Sequence, residues 1–163
     1  MPPFVVHLLA LLHELSHGPA TGTEAGLFSE PNSGLLTLLG TLSAEQASEP
    51  VSAGRPCPAA FVGHLAQLLR FSAASLCSTP EFPDFAAPWQ VQQVTPDEWQ
   101  QLQRELGSAF ASLRAVVVRG RLDEDRLNDV LTALTHAATH TGALRFHVAN
   151  LQGSKLRGLE QDA

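Results

Sequence analysis

Leucine recurs at helical spacing through most of this chain, and the residues that usually build strands are scarce. There is no isoleucine and no tyrosine, so the apolar inventory is mainly Leu, Val, Ala and Phe. β-Branched and aromatic side chains are the ones that fit a pleated surface, and their shortage leaves helix as the default. Pro80, Pro83 and Pro88 then forbid a helix in one central stretch, because each lacks the N–H a helix needs.

Apolar residues at 4, 5, 8, 9, 11, 12 and 15 predict a first helix from Phe4 to His17, entered through Pro2-Pro3 and stopped by Gly18-Pro19. Residues 18–33 read as loop, and Leu35 to about Ala47 as a second helix. A third helix is predicted from Pro58 to Leu76. Thr95-Pro96-Asp97-Glu98 carries the signature of a capping box and opens a fourth, which Gly120 ends. The fifth runs from Asp123 to Gly142, with Leu127, Val130, Leu131, Leu134 and Ala138 on its buried face. Leu144, Phe146 and Val148 then alternate with polar or small residues, which suits either a short strand or a sixth helix reaching Leu151.

The expected fold is therefore all-α, with five or six helices arranged as a helical bundle or as HEAT/armadillo-like stacked helix pairs. Residues 1–77 form a leucine-rich N-terminal set and 78–94 a Pro-rich linker. Residues 95–152 form C-terminal helices packing on the first set, and 153–163 a frayed tail.

A chain of 163 residues can bury a sizeable core. Ten basic residues against sixteen acidic, a net charge of -6, argue against nucleic acid and anionic membrane surfaces as partners. Cys57 and Cys77 are too few for a disulfide framework or a cysteine zinc site. The apolar run from Phe4 to Leu12 is too short to span a bilayer. No Lys or Arg precedes that run, His7 interrupts it and Glu14 follows closely, so it reads as a buried helix ahead of a cleaved signal. The expectation is a cytoplasmic or nuclear chain with no membrane insertion and no cofactor.

His13-Glu14-Leu15-Ser16-His17 fits H-E-x-x-H, in which two imidazoles four apart share a helix face. The pattern resembles the active-site helix of zincin metallopeptidases. Over these five residues the resemblance implies zinc on His13 and His17, with Glu14 as the base acting on bound water. Gly18-Pro19 closes the helix at once, and no third ligand is marked. His136 and His140 form a second such pair, and the four imidazoles would make a structural zinc site if the two helices packed together. His7, His64 and His147 stand alone and read as core-edge residues.

L-x-x-L-L occurs at Leu8 to Leu12, Leu35 to Leu39 and Leu65 to Leu69. It is similar to the short helical box with which coregulators dock into a groove on nuclear receptors. Core-facing leucines at i, i+3 and i+4 produce the same string. Glu81-Phe82-Pro83-Asp84-Phe85, with Trp89 close behind, combines acids and aromatics in the manner of short peptide ligands. No phosphate loop, dinucleotide fingerprint or nucleophile elbow is present in the sequence.

The reading that follows is a non-enzymatic protein–protein interaction module or scaffold subunit of a larger intracellular complex. Its candidate surfaces are Leu8, Leu11, Leu12, Leu35, Leu38 and Leu39, then Phe82, Phe85 and Trp89. The alternatives are a small zinc-dependent hydrolase using His13, Glu14 and His17, and a nuclear-receptor coregulator-like protein.

Overall fold

The computed structural model describes residues 2–19, 26–28, 33–77, 80–120 and 122–161, with side chains up to Leu151. Helix α1 (Pro3–His17) starts on a proline, whose fixed φ and missing N–H cost nothing in a first turn. Gly18 ends it at φ 98, a backbone region open to a residue without Cβ, and its N–H donates to Glu14 O. Val5, Leu8, Leu12 and Leu15 make the inward stripe.

The second predicted helix is two helices. Helix α2 (Leu35–Gly40) stops at Thr41, and α3 (Ala44–Ala47) restarts behind its own capping box. Ser43 Oγ accepts from Gln46 N–H, and the Gln46 carboxamide oxygen accepts from Ser43 N–H. Gly40 in the last turn is a poor helix former, and Ser43 supplies a better start three residues on.

Helices α4 (Pro58–Leu76) and α5 (Pro96–Arg119) have the predicted bounds. The box at Thr95 is complete: Thr95 Oγ1 accepts from Glu98 N–H, and the Glu98 carboxylate accepts from Thr95 N–H at 2.8 Å. That backbone bond is the main reason the Glu98 carboxyl sits below its usual range.

Helix α6 (Glu124–Gln161) overturns the break expected at Gly142 and the strand reading of 144–148. Val130, Ala133, Leu134, Ala137, Thr141, Leu144 and Val148 form one buried stripe that runs unbroken past Gly142, which itself faces solvent. Leu144 and Val148 are a helical i, i+4 pair, while Phe146 between them faces solvent at 73% exposure. A lone glycine costs about 1 kcal/mol in a helix, which a continuous buried face outweighs. The backbone stays helical through 153–161, where the sequence predicted fraying, and 162–163 lie outside the described residues.

Helix α5 packs on α4 and on α1, and α6 likewise packs on both. The four long helices thus close a ring in the order α1, α5, α4, α6, which is a bundle; stacked repeat pairs would touch only their neighbours. Helix α2 sits against α1, α5 and α6, and α3 against α4 and α5. Leu12, Leu15, Leu35, Leu39, Leu65, Leu69, Leu106, Leu113 and Leu144 are fully buried, and one core joins residues from both sides of the proline break. Trp99 fastens α5 to the α2–α3 turn by donating from Nε1 to Leu42 O at 2.9 Å. The described residues contain six α-helices and no strand. No helix among them is long and apolar enough to cross a membrane.

The segment 80–94 lies along α4 as a strap, with one 3-10 turn at Ala87–Gln90. Pro88 is buried there, Trp89 packs on the core, and Val94 N–H donates to Ser48 Oγ at 3.0 Å. Prolines suit such a strap because they need no backbone donor partner.

Candidate metal centre

His136 and His140 occupy one face of α6, a single turn apart, and α6 lies against α4. That packing sets them opposite His64, which stands alone in the sequence. His64 Nε2 lies 3.1 Å from His136 Nε2, which in turn lies 2.9 Å from His140 Nε2. The ligating atoms of all three fall within 4.8 Å of one another, the one such metal-sized group among the described residues. His64 is buried and the other two are half-buried.

An imidazole nitrogen carries either a proton or one in-plane lone pair. His136 Nε2 faces two other ring nitrogens, so at most one of its contacts is a well-aligned N–H···N bond. Three lone pairs directed at one cation remove the conflict. Zinc–imidazole bonds of about 2.0–2.1 Å at tetrahedral angles hold their nitrogens about 3.3–3.4 Å apart, close to the 3.1 and 2.9 Å that separate His136 from its two neighbours.

The electrostatics suit the same purpose. Burial, then the neighbouring His136 and His64, lowers the His140 pKa to about 4. Burial and then His136 lower that of His64. Both rings are therefore neutral at pH 7, the form in which imidazole binds a metal. Aromatic rings wall the cluster. Trp89 lies over His64 with centroids 4.4 Å apart, and Phe61 sits edge-on to both Trp89 and His140 at 5.3 Å. Trp89, proposed from sequence as a partner contact, thus belongs to this centre.

The four-histidine site is not assembled. His13 and His17 stack on each other at 5.0 Å on the exposed side of α1, and the third imidazole beside His136 and His140 comes from α4. Nor does the H-E-x-x-H helix gather a third ligand among the described residues. Its Glu14 is buried and accepts a hydrogen bond from Phe28 N–H, while His17 Nδ1 lies 2.7 Å from Ser16 Oγ. Glu24 and Glu30, the glutamates of the loop that follows the motif, lie outside the described residues.

The leucine boxes line this chain's own core. Leu8, Leu12, Leu35 and Leu39 are buried, and Leu11 and Leu38 are half-buried against the same cluster. A partner groove would have to draw them out of the α1–α2 layer. Phe85 is half-buried, its ring 5.5 Å from Phe71 and 6.4 Å from His64. Phe82 keeps 82% exposure while its ring lies 5.0 Å from Phe71.

Sequence reasoning found the α6 pair and missed His64. The available signal was a titratable residue three positions after Phe61, on the apolar face of a helix. The pairing of α4 with α6 is a tertiary fact that no local spacing carries. No known protein family, curated protein or solved structure matches the chain.

Proposed function

We propose that this chain is a metal-binding helical module in which His64, His136 and His140 hold one divalent cation of the zinc class. The observation that carries this reading is the convergence of three imidazoles from two helices, with one ligating nitrogen of each within 4.8 Å of the others. Imidazole suits zinc, copper and nickel, and an all-histidine set disfavours magnesium and calcium, which take oxygen ligands. Three protein ligands leave a fourth tetrahedral position to water or to an incoming donor. A cation here ties α6 to α4 beside the strap. Isothermal titration of purified protein with zinc tests the reading. One site per chain is expected, lost in His136→Ala, which removes the central ligand. No heat above dilution, or an unchanged isotherm in the variant, would overturn it.

A second reading is the non-enzymatic interaction module of a larger cytoplasmic or nuclear complex. It is favoured by Phe82, a large apolar side chain at 82% exposure on the strap. Phe82→Ala is expected to leave the melting temperature unchanged and to release a co-purifying protein. Retention of every partner by the variant would remove this surface.

A further inference from the structure

Two buried side-chain atoms of α4 have no hydrogen-bond partner, His64 Nδ1 and Gln67 Oε1. The residues stand three apart on one helix, which makes them neighbours on its surface. If the metal reading holds, on which this inference rests, His64 presents its Nε2 lone pair to the cation and carries its ring proton on Nδ1. That N–H is then a buried donor needing an acceptor, beside a buried carbonyl oxygen needing a donor. We propose that Gln67 is the positioning residue of the centre, its carboxamide oxygen accepting from His64 Nδ1–H and so fixing the ring's tautomer and tilt toward the metal. Metal-bound histidines commonly donate their second nitrogen to such a partner, and removing it typically weakens binding 10–100-fold.

The test uses cobalt(II), whose visible absorption reports coordination geometry, on the full chain and on Gln67→Ala and Gln67→Glu. Far-UV circular dichroism of each variant confirms the fold before metal is added. Cobalt affinity is expected to drop about 10–100-fold in Gln67→Ala, with a changed visible band, and to recover in Gln67→Glu, which keeps an acceptor oxygen. A residue that merely packs would alter melting of the metal-free protein and leave the cobalt band and affinity alone. Equal affinity and an identical band in Gln67→Ala overturn the assignment, as does equal weakening in Gln67→Glu. If the wild-type chain binds no cobalt and no zinc, the metal reading itself fails, an outcome distinct from either.

Discussion

Zinc should stabilise the native bundle by an amount set by mass action, and His64 should control it. His64 lies 72 residues before His136, so the complete ligand set exists only when α4 and α6 are packed. A ligand that binds only the native state adds RT ln(1 + [L]/Kd), about 2.7 kcal/mol at a hundredfold excess over Kd. For a chain of this size each kcal/mol moves the melting temperature about 2–4 °C, giving a rise of about 5–11 °C. His64→Ala leaves the His136–His140 pair, which sits on one helix and binds without tying it to anything. The zinc-induced rise should then shrink below about 2 °C. Differential scanning calorimetry with zinc and with a chelator reads both values. A full-sized rise in His64→Ala would refute the reasoning, because the tether between helices would not be its source.

Further outcomes follow from the same geometry. In the unfolded chain His140 takes up a proton near pH 6.5, whereas in the native state it does so only at about 4. The unfolded state therefore binds more protons between these values, so stability is full above about pH 6.5 and is lost as pH falls toward 4. A fully shielded ring would contribute about 3 kcal/mol, and screening at this half-buried one reduces that to about 1–2 kcal/mol. Burial lowers His64 and His147 in the same direction, and urea unfolding of chelated protein at pH 7.5 and pH 5 measures the sum. Trp99→Phe removes the donor to Leu42 O and orphans a buried carbonyl, so the urea midpoint should fall by the equivalent of about 1–3 kcal/mol. An unchanged midpoint would mean that the α2–α3 turn does not depend on that bond. Gly34→Ala drives a Cβ into the backbone of His17 and Gly18, a clash that rigid main chain cannot relieve. Loss of soluble folded protein is expected, and a normal melting curve would show that the α1–α2 approach has room for a methyl group.

The helices were legible because their signals are local. Pro58 at the start of α4, and Thr95 with Glu98 ahead of α5, mark boundaries within a few residues of sequence. Ser43 and Gln46 carried the same capping grammar, but the run of leucines over 35–42 masked it. Gly142 misled in the opposite direction, because its helix-breaking tendency is a single-residue cost set against a buried stripe over several turns. The candidate centre was half legible. An i, i+4 histidine pair announces itself, whereas the partner residue depends on which helices touch, and leucine-rich faces are interchangeable enough to hide that choice. The leucine boxes taught the converse: a recognition string and a core stripe share one spacing, and only burial separates them.

The central claim is a cation on three imidazoles from two helices. Crystals of the chain grown with zinc, measured just above and just below the zinc absorption edge, test it most directly. The account predicts one anomalous peak per chain about 2.0–2.1 Å from Nε2 of His64, His136 and His140. A zinc-saturated crystal whose anomalous density lies elsewhere, such as on His13 and His17, would contradict it.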